Sequence, residues 1–403
     1  MEDFWLTLPI MRRKIVLLFL LLLSFTYCEN NSSNKNSPVI PITAPVSQEA
    51  VKQSLAKGIN LSNWFNDYSD PAQFSSRFSS PDFERIKRQG FTYVRLPVGG
   101  TILFQESNPS QLNAKNLVFV DAAIKNAIDA GLAVLLDGIH ENGERIEKKL
   151  ATTPGYVDTV TAYWKAVATY FVKYPADKIF FELFNEPHVA ASKTVNVTTA
   201  WWRPVQEKLI KAVHAIAPNH YIVVGGESWN SLKELLSMEP YTAPNIIYNF
   251  HDYDPFLFTH QGASWAGWAP AVNGRNIPYP SNPEVVAPLV AAATVQELKD
   301  ALTNYGNQRI GIDTVMKRIK LASDWASKNN ALLMCNEFGS YKPYSPRASR
   351  LAWINDMRSA LEKNNILWAM WEYDEGFGIM SYTNGNRNLS TADEEVLQSL
   401  GLK

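Results

Sequence analysis

The segment from Ile179 to His188 has the sequence IFFELFNEPH. Its first six residues are apolar apart from one glutamate and favour a buried strand, whereas its last four form a polar cluster around a proline. Pro187 has no N–H to donate to a sheet, so we expect the strand to end there. Glu186, with Asn185 beside it, is then expected at the C-terminal mouth of the strand.

A second segment, from Ala331 to Gly339, has the sequence ALLMCNEFG and the same organisation. It is an apolar run that ends in a glutamate, Glu337, which follows Glu186 by 151 positions. Two carboxylates that face each other across a glycosidic bond are the usual groups of glycoside hydrolysis. Each glutamate alone is explained as well by a salt bridge at a strand end. The two together, with the pattern described next, favour catalysis.

Both segments belong to a series of eight apolar runs that alternate with helical patterns. The runs are Lys57–Leu61, Phe91–Pro97, Ala133–Asp137, the run before Glu186, Tyr221–Gly226, Ile246–His251, the run before Glu337, and Ile366–Trp371. The helix candidates are Asp82–Gln89, Asn116–Ala130, Asp158–Lys173, Ala200–Ala215, Gly311–Lys328 and Arg347–Lys363. This alternation predicts an α/β fold, a (β/α)8 TIM barrel that forms a single catalytic domain. A doubly wound open sheet is the alternative, but no glycine-rich phosphate loop follows the first run.

In a TIM barrel the active site lies at the C-terminal ends of the strands. Nearly every predicted unit carries a hydrogen-bonding or aromatic residue at that place, which packing alone does not explain. These residues are Asn60, Arg95, His140, Asn185 with Glu186, Trp229, His251 with Tyr253, Glu337 and Trp371. We expect them to form one site.

The composition narrows the class of ligand. The 403-residue chain has 38 basic and 39 acidic side chains, without the basic excess of a nucleic-acid-binding protein. Its 12 Trp, 17 Tyr and 19 Phe residues either fill the core or stack on the apolar faces of sugar rings. The further candidates for such stacking are Trp64, Trp229, Trp265 and Trp268.

No metal or cofactor is predicted. Four acidic residues lie near histidines, but their spacing matches no metal-binding motif. They are Asp252, Asp254, Asp374 and Glu375. Cys335 lies in a predicted buried strand, so we expect a small core residue and no disulfide framework.

Residues 1–28 predict an export signal, in which basic residues 12–14 precede the apolar run Ile15–Phe25. That run is short for a membrane span. Cys28 occupies the place of the acylated cysteine of a bacterial lipoprotein, although Tyr27 before it is bulky. We expect export, followed by lipid anchoring in the cell envelope or by secretion. Residues 29–46 then form a polar and proline-rich tether, and residues 47–403 the catalytic domain of a monomer.

The motifs resemble those of glycoside hydrolase family 5, the retaining cellulases and mannanases with a (β/α)8 barrel. The resemblance covers residues 56–376. Asn185-Glu186-Pro187 looks like the acid/base signature of the family, and Glu337-Phe338-Gly339 looks like its nucleophile signature. The family also has an arginine on the second strand, a His-x-Tyr on the sixth and a tryptophan on the eighth. The residues here that match are Arg95, His251 with Tyr253, and Trp371.

The resemblance implies hydrolysis of a β-1,4-glucan or a β-mannan by double displacement. Glu337 would attack the sugar, supported by Arg95 and Tyr253, and Glu186 would act as acid and base. We expect the negative charge of Glu337 to raise the pKa of Glu186. Asn185 would bind the hydroxyl beside the reacting carbon. The alternatives are a β-1,3- or branched-glucan hydrolase and a surface carbohydrate-binding barrel with weak activity.

The sequence departs from the family after the third strand. The family commonly has two adjacent histidines there, whereas this chain has Ile139-His140. We expect Ile139 to make this corner of the site more apolar and its replacement by histidine to raise activity. The connection from Ser264 to Asn307 is enlarged, and we expect it to shape access to the site.

Overall fold

A computed structural model of the protein describes residues 45–67, 69–140, 145–189, 201–383 and 386–403. Eight parallel strands pair in chain order and close into a barrel, with the last strand beside the first. The barrel strands are β1 (Lys57–Asn60), β2 (Tyr93–Pro97), β3 (Ala133–Asp137), β4 (Ile179–Glu182), β5 (Ile222–Gly225), β6 (Ile246–His251), β7 (Leu332–Glu337) and β8 (Leu367–Met370). The predicted TIM barrel is confirmed.

Helices surround the barrel, and each of the six predicted helices is present with ends shifted by at most two residues. The helices are α1 (Gln48–Ser54), α2 (Ser80–Arg88), α3 (Ala114–Asp129), α4 (Arg145–Thr152), α5 (Tyr156–Phe171), α6 (Trp202–His214), α7 (Glu227–Asn230), α8 (Leu232–Ser237), α9 (Phe256–Thr259), α10 (Ala269–Asn273), α11 (Pro283–Ala292), α12 (Gln296–Asn307), α13 (Ile312–Lys328), α14 (Arg347–Lys363) and α15 (Glu394–Ser399). A 3-10 helix covers Pro71–Gln73. None of the helices within the described ranges is both long and apolar enough to cross a membrane.

Most residues of the strands are apolar and buried, as expected for parallel strands with both faces covered. Along β3, Val134 and Leu136 pack in the cluster between barrel and helices, whereas Ala133 and Leu135 pack in a second cluster. Helix α1 contributes Val51 to that second cluster, so it closes the N-terminal end of the barrel. The polar side chains of the strands therefore lie at the opposite, C-terminal end of the barrel.

The register of the strands places polar residues side by side at that end. Asn60 pairs with Arg95 between β1 and β2, and Asp137 pairs with Glu182 between β3 and β4. β7 ends at Glu337, as predicted. Parallel strands in this register bring these five side chains to one end of the barrel.

The predicted end of the fourth strand is wrong. β4 ends at Glu182, four residues before Glu186. The chain then turns, and Glu186 has a φ of 41°, which lies outside strand geometry. The N–H of Asn185 donates to the carbonyl of Ile139 over 3.0 Å, so this turn is held by the segment after β3 rather than by a sheet ladder.

Two connections are more elaborate than a simple barrel unit. The enlarged segment between β6 and β7 folds into the helices α9 to α12. After β8, the chain forms an antiparallel pair of strands, β9 (Met380–Thr383) and β10 (Asn386–Ala392), before the final helix α15. The predicted export signal, Cys28 and the tether up to residue 44 lie outside the described residues.

Candidate active site

A cleft of about 1540 Å³ opens at the C-terminal ends of the barrel strands. Nine of the residues predicted for the site line this cleft. They are His140, Asn185, Glu186, Trp229, His251, Tyr253, Trp265, Glu337 and Trp371. The other two, Asn60 and Arg95, are completely buried and bind the residues of the cleft floor.

Glu337 lies at the end of β7 with both carboxyl oxygens held. Nη1 of Arg95 donates to Oε1 over 2.6 Å, and the hydroxyl of Tyr253 donates to Oε2 over 2.9 Å. Burial and the charge of Glu337 raise the pKa of Tyr253 well above its ordinary value, so Tyr253 keeps its proton and acts as the donor. Both expected contacts are present, and they leave the carboxylate in a fixed orientation.

Arg95 lies beneath the cleft and donates hydrogen bonds to several side chains around it. Its Nε and Nη2 donate to the two oxygens of Glu182 over 2.6 and 3.0 Å, and Nη2 also reaches Asp137 at 3.0 Å. Nη2 donates to Oδ1 of Asn185 over 2.8 Å, and Nη1 donates to Oδ1 of Asn60 over 3.0 Å. Burial by itself lowers the pKa of Arg95, but the carboxylates raise it well above its ordinary value. Arg95 is therefore a permanent cation in a buried layer of acids.

Glu182, Asp137 and Asn336 were missed as members of the site. Nδ2 of Asn336 donates to Glu182 over 3.0 Å, and the carbonyl of Asn336 accepts from Nδ2 of Asn60 over 2.9 Å. A signal was present in the sequence, because Glu182 interrupts an apolar run and a charge buried in this way needs a partner. The identity of that partner depends on the register between strands.

Glu186 faces Glu337 across the cleft. Oε1 of Glu186 lies 2.6 Å from Nδ1 of His251, and that nitrogen is 3.6 Å from Oε2 of Glu337. One oxygen of each carboxyl lies within 4.8 Å of the other. The two acids are therefore close enough to contact the same bond of a bound substrate.

Burial raises the pKa of Glu186 to about 7, even though 27% of its side chain stays exposed to the cleft. The expected cause was wrong, since removal from water contributes most and the charges of His140 and Arg95 oppose it. Burial also lowers the pKa of His251. Its imidazole is neutral near pH 7, so Nδ1 either donates to ionised Glu186 or accepts from protonated Glu186.

Ile139 does not face the cleft, and the expectation about its role is wrong. Its side chain is fully buried in the hydrophobic core between barrel and helices. His140 lines the cleft instead, with Nδ1 2.8 Å from Asp137 and its ring stacked 5.8 Å from that of Trp371. Burial alone lowers the pKa of His140, but the hydrogen bond and charge of Asp137 raise it above the ordinary value.

The four tryptophans predicted as further sugar platforms lie in three different environments. Trp229 and Trp265 are exposed in the cleft, and the ring of Trp229 stacks on His188 with 3.5 Å between centroids. Trp64 is only 2% exposed and packs among phenylalanines, so its assignment as a platform is wrong. Trp268 is exposed but does not line the cleft.

Glu186, His251 and Glu337 offer one nitrogen and two oxygens within 4.8 Å of one another, a donor set that zinc accepts. Two of these atoms already contact each other at 2.6 Å, so a metal would displace that bond. Asp252 and Asp374 instead form ion pairs, with Arg318 at 2.8 Å and Arg77 at 3.2 Å respectively.

The family model for cellulase (glycosyl hydrolase family 5) matches residues 47–376. The chain belongs to glycosyl hydrolase family 5. It is accordingly a glycoside hydrolase, and the family resemblance drawn from its motifs is confirmed.

Curated relatives of this family 5 chain include endoglucanases. Endoglucanase 3 of Fibrobacter succinogenes is 28% identical over 358 residues, which cover 85% of this chain and 52% of that protein. This chain thus spans about half the length of that relative. Endoglucanase C of Acetivibrio thermocellus is 27% identical over 353 residues, covering 86% of this chain and 98% of the relative. The crystal structure of endoglucanase Cel5A from Thermotoga maritima superimposes with a TM-score of 0.69 at 25% identity, over 88% of this chain and 100% of that one.

Proposed function

We propose that the protein is a retaining endo-β-1,4-glucanase, in which Glu337 is the nucleophile and Glu186 is the acid and base. The observation that carries this proposal is the approach of the two carboxyls, whose oxygens lie within 4.8 Å. Retaining glycosidases place their carboxyls about 5–5.5 Å apart, whereas inverting ones leave about 6.5–9.5 Å for a water molecule. The names of the curated relatives support a β-glucan as the substrate.

In the first step, Glu337 attacks the anomeric carbon and forms a covalent bond to the sugar. The oxygen of the broken glycosidic bond takes the proton of Glu186, whose pKa of about 7 keeps it protonated in mildly acidic solution. Because Arg95 holds Oε1 of Glu337 and Tyr253 holds Oε2, the attack needs little reorganisation of the carboxylate.

In the second step, Glu186 accepts a proton from water, and the oxygen of that water displaces Glu337 from the sugar. The product keeps the β configuration, and both carboxyls return to their starting states. Asn185 assists in both steps, since Arg95 fixes its Oδ1 and leaves the Nδ2 amide as a donor to the neighbouring sugar hydroxyl. Trp371 forms the floor on which the reacting sugar stacks.

The test measures turnover of soluble β-1,4-glucan, β-mannan and β-1,3-glucan, with Glu337→Ala as the inactive control. Fresh product is followed by the NMR signal of its anomeric proton. We expect highest turnover on β-1,4-glucan and an initial β-anomer. An initial α-anomer would exclude Glu337 as nucleophile, and glucan binding without turnover would identify a carbohydrate-binding barrel instead.

The Glu337→Ala variant gives an independent check of the assigned roles. A small anion such as azide can occupy the space of the missing carboxylate and attack an activated aryl glycoside directly. One displacement then inverts the configuration, so we expect an α-glycosyl azide. A β-glycosyl product from this variant would contradict the assignment.

We further propose that the protein is exported and anchored by a lipid on Cys28. The basic residues, the apolar run and the isolated cysteine of the N-terminal segment support this proposal. In a bacterial host, Cys28→Ser should move the protein from the membrane fraction to the soluble fraction. Identical fractionation of both proteins would contradict lipid anchoring.

A further inference from the structure

Three consecutive residues, the last residue of β6 and the two that follow it, link the two catalytic carboxyls to the outer helices. His251 contacts Glu186 at 2.6 Å, and Tyr253 donates to Glu337 over 2.9 Å. Side chains of an extended segment alternate in direction, so Asp252 between them points away from the carboxyls. The backbone N–H of Asp252 donates to the carbonyl of Glu337 over 3.0 Å, which ties this segment to β7.

Arg318 of α13 holds Asp252 in a two-pronged ion pair. Its Nε donates to Oδ2 over 2.8 Å and its Nη2 donates to Oδ1 over 3.0 Å. The Asp252 side chain is almost fully buried, and that of Arg318 is 21% exposed. Such a planar fork fixes orientation as well as distance, which a lysine ammonium cannot do.

The same guanidinium holds the next part of the segment. Nη2 of Arg318 also donates to the carbonyl of Asp254 over 2.9 Å, and that carbonyl accepts from the indole N–H of Trp353 over 3.2 Å. The N–H of Asp254 donates back to Oδ1 of Asp252 over 2.9 Å. Arg318 therefore holds the segment that carries His251 and Tyr253 at two successive places, Asp252 and Asp254.

We propose that Arg318 is a positioning residue, which acts through Asp252 to hold His251 and Tyr253 against the two catalytic carboxyls. This inference rests on the proposed function. Catalytic groups must be held to within a fraction of an ångström, and a displacement of about 1 Å lowers rates by up to roughly a hundredfold. Without the two hydrogen bonds from Arg318 to Asp252, the segment from His251 to Tyr253 can move. Glu186 and Glu337 are then no longer aligned for proton transfer and for attack on the sugar.

Arg318 also lines the cleft, so direct contact with substrate is the competing explanation. The two explanations predict different kinetics. A substrate contact that is equal in the bound and transition states raises KM alone, whereas misalignment of the catalytic groups lowers kcat. Misalignment of Glu186 also lowers the rate more for substrates with poor leaving groups than for those with good ones, because poor leaving groups need its proton.

The experiment compares the full-length wild type with Arg318→Ala, Arg318→Lys and the control Lys320→Ala. Lys320 lies on the same helix and forms an exposed ion pair with Asp324 at 2.6 Å. We measure kcat and KM on soluble β-1,4-glucan and on aryl cellobiosides with good and poor leaving groups. Assays run well below the midpoint of thermal unfolding of each variant.

We expect Arg318→Ala to lower kcat by about ten- to a hundredfold with little change in KM. Millimolar guanidinium should restore part of that loss, and Arg318→Lys should be intermediate. Lys320→Ala should match the wild type. If Arg318→Ala does not fold, Arg318→Lys decides the question, because it keeps the charge and loses the fork.

A raised KM with unchanged kcat would overturn the inference in favour of a substrate contact. Wild-type kcat in folded Arg318→Ala and Arg318→Lys would overturn it as well. These failures are distinct from failure of the proposed function, which would appear as lack of turnover by the wild type itself.

Discussion

Replacement of Arg95 by methionine removes the cation from the buried layer while it keeps a side chain of comparable length. Arg95 is the partner of three carboxylates, those of Asp137, Glu182 and Glu337, at distances of 2.6–3.0 Å. All three residues are buried at the C-terminal end of the barrel, with at most 5% of each exposed. The variant leaves these negative charges uncompensated.

The loss of stability expected for Arg95→Met follows from the burial of Arg95 and its carboxylate partners. Removal of one partner from a buried ion pair lowers the free energy of unfolding by about 3–5 kcal/mol. Arg347 offers a matched control, because it also pairs with two acids, Asp393 at 2.7 Å and Glu395, but its side chain is 53% exposed. Exposed pairs contribute about 0–1 kcal/mol, so we expect Arg347→Met to be nearly neutral.

The effect of Arg95→Met depends on pH in a defined direction. Burial raises the pKa of Glu182, and Arg95 opposes that shift, so its removal raises the pKa further. An acid whose pKa is higher in the folded state binds protons more tightly there, and it therefore adds stability as the pH falls. The loss caused by Arg95→Met should be largest at neutral pH and should shrink as the pH falls through the raised pKa of Glu182.

The assay is urea denaturation of wild type, Arg95→Met and Arg347→Met, followed by tryptophan fluorescence at mildly acidic and at neutral pH. The slopes with urea concentration report whether the variants unfold the same surface. A loss for Arg95→Met no greater than for Arg347→Met would refute the reasoning. So would a large loss that stays the same at both pH values, because it would then not arise from uncompensated acids.

Three further predictions concern the cleft. The fall of kcat/KM at high pH should be centred near pH 7, where Glu186 loses its proton. Burial also raises the pKa of Glu372 in the cleft to about 7, so Glu372→Gln serves as the control, and the fall should persist in it. A shift of that limb in Glu372→Gln would assign it to the wrong acid. Ile139→His should not raise activity but should lower the free energy of unfolding by about 1–3 kcal/mol, measured by denaturation, because it buries an imidazole in apolar core. Trp371→Ala should lower kcat/KM about two- to tenfold, because it loses about 0.5–1.5 kcal/mol of stacking on the sugar. Trp268 lies outside the cleft lining, so Trp268→Ala should leave kcat/KM unchanged. Equal effects of the two substitutions would contradict the assignment of Trp371 as the floor of the cleft.

Much of the candidate site was predictable because it follows from local patterns. Glu337 ends an apolar run, and a parallel barrel brings all such ends to one face. Tyr253 and Arg95 were expected beside Glu337, and the hydrogen bonds place them there. Prediction failed for Trp64, which packs in the core, since an aromatic residue has no local signal that separates core from cleft.

The sequence by itself determined the barrel and the presence of Glu186 and Glu337 at its C-terminal end, because the alternation of apolar runs with helices and the polar ends of those runs are properties of short segments. Only the tertiary structure decided the rest. The register between neighbouring strands set Asp137 and Glu182 around Arg95, and the direction of the chain after β3 turned Ile139 into the core and His140 into the cleft. The raised pKa of Glu186 likewise depends on how much water the assembled cleft removes, which is a property of the whole fold and of no single segment.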